Sequence, residues 1–142
     1  MKASNYLLVL GSLIAGSVQA QTITSNSHNQ IKNRLMNTDP LKNTTVKKAI
    51  DAFQAGDKAA WFWLFTVDAQ LFDDGNKIDF KGFSEEALGH EHFVSIDRIA
   101  QNGLHVYGRF HSDKWGDFKT YFKFVINPAG QITRLDIGQA SY

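Results

Sequence analysis

Side chains in residues 117–126, DFKTYFKFVI, alternate between two classes, and this alternation constrains the fold more than any other feature of the sequence. A β-strand sends successive side chains to opposite faces of its sheet. One face carries Phe118, Thr120, Phe122, Phe124 and Ile126, and the other carries Lys119, Tyr121, Lys123 and Val125. Each buried phenylalanine contributes about 2–3 kcal/mol, so the aromatic face is the one we expect to be buried.

Turn signals on both sides of this strand predict a series of hairpins. Asn102-Gly103 separates strand-like residues 92–100 from 104–111, and Asn-Gly is typical of hairpin turns. Residues 127–130, Asn-Pro-Ala-Gly, separate residues 117–126 from 131–140. Segments whose apolar residues have helical spacing precede these strands in the chain. This order predicts an α+β fold class, in which a curved antiparallel β-sheet packs on N-terminal helices.

The helices are predicted from apolar spacing and from capping residues. Apolar residues in the segment 46–53 repeat at three and four positions, so they share one helical face. We expect this helix to begin at Asp39-Pro40, an N-cap followed by proline, and to end at Gly56. Asp57 is expected to cap a second, short aromatic helix, and Ser84 a third.

The first twenty residues have the composition of a signal peptide. Lys2 precedes an apolar run, and Val18-Gln19-Ala20 offers small residues for cleavage. We predict a signal peptide at 1–20, a polar linker or arm at 21–38, and a domain at 39–142, secreted or periplasmic; an uncleaved membrane anchor is the alternative. Without Lys2 the chain has 15 − 1 = 14 basic residues against 14 acidic ones. This balance gives no excess of positive charge that would favour binding to nucleic acid, and no membrane association is expected after cleavage.

Residues 43–140 resemble the nuclear transport factor 2-like superfamily, which includes the SnoaL-like polyketide cyclases and the ketosteroid isomerases. The likeness is carried by Ala55-Gly56-Asp57 between two helices, by Val67-Asp68-Ala69 at a strand entry, and by the closing hairpin NPAGQITRLDIGQA. The resemblance implies a cone, in which helices close one side of a bent sheet around a pocket. Several members pair through the outer sheet face, which implies a homodimer.

Asp73 and Asp74 stand directly before Gly75 and have two interpretations. Both are turn residues if their side chains bond nearby backbone N–H groups. The resemblance implies that Asp73 is a catalytic base instead, because isomerase-like members carry a proton-shuttling aspartate there. The oxyanion donors of those members correspond here to Ala49 and Phe122. Both donors are therefore missing, and whether the protein is an enzyme stays open.

The aromatic face of residues 117–126 is either the wall of a cavity or part of a solid core. As a cavity it suits a small hydrophobic molecule. Trp61 and Trp63 lie about 200° apart on an ideal helix, so only one of them can face the interior. No cofactor is expected. The residues predicted to bind the ligand are Trp61, Phe118, Thr120, Phe122 and Phe124.

Histidines supply a further candidate group. His90 and His92 share one face of an extended segment, where His111 or Asp73 would complete a metal site. Spacing fixes no third ligand, so no metal site is predicted. His90 is instead a candidate acid–base partner of Asp73.

Three functions follow from these residues. The domain binds a hydrophobic molecule, or it catalyses proton transfer with Asp73, or it is a non-catalytic assembly domain. The assembly function would place Tyr107, Lys119, Tyr121 and Lys123 at a dimer contact on the outer sheet face.

Overall fold

The computed structural model of this 142-residue chain describes residues 36–142. Within them lie the helices α1 (Thr44–Ala55), α2 (Lys58–Trp63) and α3 (Phe80–Ala87). The strands are β1 (Phe65–Asp73), β2 (Asn76–Ile78), β3 (Glu91–Ala100), β4 (His105–Ser112), β5 (Gly116–Ile126) and β6 (Ile132–Gln139). The predicted signal peptide and the predicted arm up to residue 35 lie outside the described residues.

The start of α1 differs from the prediction. Asn43 is the N-cap, and its side chain accepts a hydrogen bond of 3.1 Å from the backbone N–H of Val46. The predicted start at Asp39-Pro40 is wrong, because the N–H of Leu41 donates to the carbonyl of Thr38 at 3.0 Å and closes a turn there. Thr38, which the sequence assigned to the arm, is buried and already belongs to the folded domain.

Of the other predicted helix boundaries, two are correct and one is wrong. Gly56 ends α1 in a left-handed conformation with φ 66°, and Asp57 caps α2, both as predicted. A side chain at Gly56 would also meet the backbone of Gly89 at 3.1 Å, so glycine is required twice over. The predicted cap Ser84 is wrong. Asp79 caps α3, and Ser84 is buried inside that helix.

The six strands form one open sheet in the order β2-β1-β6-β5-β4-β3. The strands from β3 to β6 form the antiparallel meander that the turn signals predict. Neither β2 nor the parallel pairing of β1 with β6 was predicted from the sequence. That pairing brings the end of β1 beside the end of β6, with Asp73 opposite Ile137. The α+β fold class is confirmed.

Aromatic rings from the sheet and from α1 form the core. The ring of Phe122 lies 5.4 Å from that of Phe53, 4.9 Å from that of Phe93 and 5.7 Å from that of Phe110, measured between centroids. The Phe53 and Trp61 rings meet edge to face at 5.2 Å. Such contacts add about 0.5–1.5 kcal/mol per pair to the free energy gained by burial.

The faces of β5 are arranged as the alternation predicts. Thr120, Phe122 and Phe124 are buried, whereas Lys119 and Val125 are exposed. We call the buried side of the sheet the inner face and the opposite side the outer face. In the described part of the chain, no helix is long and apolar enough to cross a bilayer.

Candidate functional site

Asp73 and Asp74 follow each other in the chain but serve different purposes. Asp73 lies two residues after the fully buried Leu71 and pairs with Ile137, so strand alternation places its side chain on the inner face. Asp74 adopts a left-handed φ of 47°, and its carboxylate accepts a hydrogen bond of 3.1 Å from the backbone N–H of Gln139. The turn interpretation therefore describes Asp74, and Asp73 belongs to the inner face.

Glu91, at the start of β3, is a second carboxyl group on the inner face. It pairs with the buried Ser112 and lies two residues before the fully buried Phe93. Burial raises the pKa of Asp73, and the neighbouring charge of Asp74 adds to this effect. Burial also raises the pKa of Glu91, with a smaller contribution from the charge of Asp73. The charge of Asp73 therefore acts on the carboxyl group of Glu91.

Ser112 fixes the position of the Glu91 carboxyl group. The hydroxyl of Ser112 donates to Oε1 of Glu91 at 2.9 Å. Oγ of Ser112 accepts hydrogen bonds from the backbone N–H groups of Lys114 and Trp115, at 3.2 Å each. The β4–β5 turn therefore orients Ser112, and Ser112 orients Glu91.

Glu91 was not predicted as a site residue, although the histidines on either side of it were candidates. The signal was available, because Glu91 shares strand parity with Phe93 and therefore shares its face. The same parity assigns Ser112 to the face of Phe110.

Three of the predicted ligand-binding residues lie within the ring cluster of the core. Trp61, Phe122 and Phe124 are almost completely buried. The indole N–H of Trp61 is already used, because it donates to the hydroxyl of Ser84 at 3.0 Å. Phe122 lies 6.4 Å from Phe124 between ring centroids. Phe53 packs against both Trp61 and Phe122, so these rings together form the floor of the inner face.

The other two predicted ligand-binding residues differ in exposure. Thr120 is buried, and its hydroxyl donates to the carbonyl of Gly138 at 2.7 Å. Phe118 is only half-buried, and its ring packs 5.6 Å from that of Phe110. Phe118, on β5, therefore keeps part of its ring available on the inner face, which also carries Glu91 of β3 and Ser112 of β4.

The positions that correspond to the missing oxyanion donors are both apolar and buried. Ala49 lies on the buried face of α1, and Phe122 lies at the centre of the ring cluster. Neither position offers a hydrogen-bond donor from its side chain.

His90, predicted as a partner of Asp73, lies elsewhere. It is exposed, its Nδ1 lies 3.2 Å from Oδ2 of Asp113, and it lines a groove of about 310 Å³ with His92, His111 and Asp117. His111 and His92 are paired across β3 and β4 on the outer face. The structure does not bring His90 to the carboxylate of Asp73.

Ion pairs dominate this histidine groove. Nδ1 of His111 lies 2.6 Å from Asp117, and this hydrogen bond raises the pKa of His111. The bond from His90 lowers the pKa of Asp113. Among residues 36–142, no three histidine or carboxylate side chains are placed to hold one metal ion.

A second groove, of about 570 Å³, runs along α1 and α2 away from the sheet. Trp63 is 84 % exposed there and lines the groove with alanines and with Lys48 and Asp51. Trp61 and Trp63 therefore divide as the helical geometry predicts, one in the core and one on the surface. Trp115, in the β4–β5 turn, is also exposed.

Cations stacked on aromatic rings cover the outer face. The guanidinium of Arg98 lies 4.1 Å from the ring centre of Tyr107, and the ammonium of Lys123 lies 4.6 Å from that of Tyr121. Arg134 pairs with Asp136 through two hydrogen bonds of 2.7 and 2.8 Å.

Comparisons with known proteins identify solved structures that share this architecture. No protein-family model matches the sequence, and no curated protein matches it. Solved structures match the fold. The orange carotenoid protein of Anabaena binding canthaxanthin is 20 % identical with a TM-score of 0.61, over 79 % of this chain and 41 % of that chain.

Smaller bacterial proteins match over most of their own length. An NTF2-like protein of unknown function from Cytophaga hutchinsonii is 11 % identical, with a TM-score of 0.55 over 68 % of this chain and 87 % of its own. A SnoaL-like protein of unknown function from Burkholderia thailandensis is 15 % identical, with a TM-score of 0.54 over 73 % of this chain and 98 % of its own.

These likenesses define the class of the domain: an α+β cone with a bent, open sheet. More particularly, the chain has the fold of the nuclear transport factor 2-like and SnoaL-like proteins, as the sequence resemblance predicts. The chain spans only about two fifths of the length of the carotenoid protein. At these identities the likeness establishes the fold and no activity.

Proposed function

We propose that this domain binds a small, largely apolar ligand on the inner face, beside Phe118, Asp73 and Glu91. The observation that carries the proposal is the pair of half-buried carboxyl groups on a largely apolar face. Placing ionisable groups there costs free energy of folding, because water solvates a carboxylate better than an apolar surface does. Carboxyl groups with raised pKa values on an apolar surface are typical of functional sites.

The ligand would rest on the ring cluster rather than enter it. Phe122, Phe124 and Trp61 contact other rings and leave little surface exposed. Phe118 still offers part of its ring. In this arrangement the predicted lining residues supply an apolar floor, and the two carboxyl groups supply the polar border.

The class of ligand has support from one structural neighbour. The Anabaena protein with the same fold is described as binding canthaxanthin, a long apolar carotenoid. The two carboxyl groups disfavour an anionic ligand, because they would repel a ligand carboxylate, and the apolar floor favours an uncharged ligand. We therefore propose neutral, apolar molecules as the ligand class.

Titration with N-phenyl-1-naphthylamine, a neutral dye that brightens in apolar surroundings, tests the proposal. We expect saturable binding, and we expect Phe118→Ala to weaken it by about tenfold, because the ligand loses contact with a ring. Trp63→Ala is the matched control, since it removes an exposed ring from a different groove. If Phe118→Ala leaves the affinity for the dye unchanged, or if Trp63→Ala abolishes binding, the proposal is contradicted.

Proton transfer by Asp73 is a second candidate function. The raised pKa of Asp73 favours it, because a base works best when its pKa approaches the working pH. Asp73 would take a proton from a carbon beside a carbonyl group and return it to another carbon, which shifts a double bond without a co-reactant. Ultraviolet absorbance follows such isomerisation of a β,γ-unsaturated ketone. Asp73→Asn should abolish the reaction and Asp74→Asn should retain it; equal loss in both variants contradicts this role.

We also propose that residues 1–20 are a signal peptide and that the protein is secreted or periplasmic. The charged start, the apolar middle and the small residues before Gln21 support this proposal. Sequencing the N-terminus of the protein from its own host should find Gln21 first. A chain that still begins with Met1 contradicts it.

A homodimer through the outer face is the remaining proposal. Tyr107 and Tyr121 present rings there with cations stacked on them, and Val125 is exposed nearby. Such rings provide large contact areas with little loss of side-chain freedom. Sedimentation velocity should show a dimer that Tyr107→Glu converts to a monomer, and a wild-type monomer contradicts it.

A further inference from the structure

We infer that ligand binding on the inner face is linked to the uptake of one proton by Glu91, so that the site holds apolar molecules more tightly as the pH falls. This inference rests on the proposed binding function. It concerns how the site is regulated, and it assigns the proton to Glu91 rather than to Asp73.

The hydrogen bonds of Ser112 decide which oxygen of Glu91 takes the proton. Ser112 accepts from two backbone N–H groups, so both of its lone pairs are used. Its single hydrogen is directed at Oε1 of Glu91. Oε1 therefore acts as an acceptor, and Oε2 is the oxygen left to carry a proton.

The surroundings of Glu91 make the charged form costly. Burial is the largest cause of its raised pKa, and the charges of Asp73 and Asp113 act in the same direction. The hydrogen bond from Ser112 and the charge of His90 oppose them with less effect. These groups lie on β1, at the end of β4, in the β4–β5 turn and just before β3, so Glu91 meets them from each of those elements.

A bound apolar molecule would exclude more water from Glu91. Removing water from a half-buried carboxylate disfavours its charged form further, so the pKa of Glu91 is higher in the complex than in the free protein. Proton uptake then accompanies binding. Affinity is greatest below the pKa of the free protein and falls as the pH rises towards the pKa of the complex, by about tenfold per pH unit for one proton. Above that second pKa it levels off.

The test is the pH dependence of the dissociation constant of N-phenyl-1-naphthylamine, whose nitrogen does not titrate in the range of interest. Glu91→Gln keeps an oxygen for Ser112 but cannot take a proton, so its affinity should be independent of pH across the window in which the wild type changes. Glu86→Gln makes the same chemical change on the exposed side of α3 and should behave like the wild type. Calorimetry in two buffers of different ionisation enthalpy should count one proton for the wild type.

Three results would overturn the inference. If the wild-type affinity is independent of pH, binding takes up no proton and only this inference fails. If Asp73→Asn removes the pH dependence while Glu91→Gln preserves it, the proton belongs to Asp73. If the dye binds at no pH, the proposed binding function itself is wrong and the inference falls with it.

Discussion

The side chains of Asp73 and Asp74 lie on opposite sides of the sheet, although one peptide bond joins the two residues. Asp74 caps the end of β6 by accepting from the backbone N–H of Gln139, and Asp73 lies on the inner face with a raised pKa. One residue of this pair therefore stabilises the fold. The other is held by the fold at a cost in stability.

We expect Asp74→Ala to destabilise the protein by about 1–2 kcal/mol, because it loses a hydrogen bond and leaves alanine in a left-handed conformation. Asp73→Asn should be neutral or stabilising at neutral pH, since it removes a half-buried charge. The raised folded-state pKa of Asp73 sets the sign of the pH effect. Above that pKa, Asp73→Asn should have a larger free energy of unfolding than the wild type, and below the unfolded-state pKa the difference should vanish. Urea unfolding at several pH values measures the stability of both variants. If Asp73→Asn proves less stable than Asp74→Ala at neutral pH, the roles assigned to the two aspartates are wrong.

Ser112→Ala should change both stability and titration. The backbone N–H groups of Lys114 and Trp115 lose their acceptor, which costs about 1–3 kcal/mol. Because the Ser112 hydrogen bond lowers the pKa of Glu91, removing it should raise that pKa further. Carbon-detected NMR of the Glu91 carboxyl group follows the titration. Ser95→Ala, at a hydroxyl that bonds only the exposed Asp97, is the control, and a lower pKa of Glu91 in Ser112→Ala would disprove the network.

The two tryptophans of α2 provide a matched comparison. Trp61→Phe leaves the hydroxyl of Ser84 without its donor and opens space beside Phe53, so we expect a loss of about 2–3 kcal/mol in the free energy of unfolding. Trp63→Phe changes an exposed side chain and should stay within about 0.5 kcal/mol of the wild type. Chemical denaturation gives both values. Similar losses in the two variants would mean that Trp61 does not belong to the core.

The histidines should titrate in a defined order. The hydrogen bond to Asp117 raises the pKa of His111, whereas burial and the charge of Lys123 lower the pKa of His105. The stability that the His111–Asp117 pair contributes is complete below the ordinary pKa of histidine and is lost as the pH rises through the raised value. Proton NMR should find His111 titrating above His105. Asp117→Asn should lower the pKa of His111, and an unchanged value would rule out the pair.

The sequence predicted those parts of the molecule that depend on strand and helix periodicity. Alternation in β5 assigned Phe122 to the core and Lys119 to solvent, and the 3.6-residue period separated Trp61 from Trp63. Local capping was harder, because Asp39 and Asn43 are equally good caps by composition, as are Ser84 and Asp79. Tertiary contacts decide between such candidates: Thr38 bonds Asp51 and turns the chain at Asp39, so α1 begins later.

The candidate site was predicted only in part, for a physical reason. Asp73 was found through the family resemblance, which implies an aspartate at that position. Its influence on Glu91 depends on the curvature of the sheet, which no local pattern in the sequence encodes. The parallel pairing of β1 with β6 joins segments about sixty residues apart in the chain. Because no short turn connects these strands, the sequence carries no local signal that they pair.

The most direct test of the inner-face site is NMR mapping of the isotope-labelled protein during titration with N-phenyl-1-naphthylamine. The account predicts that shifts concentrate at Glu91, Ser112 and Phe118. Shifts confined to the groove around Trp63, or no shifts at a saturating concentration of the dye, would contradict it.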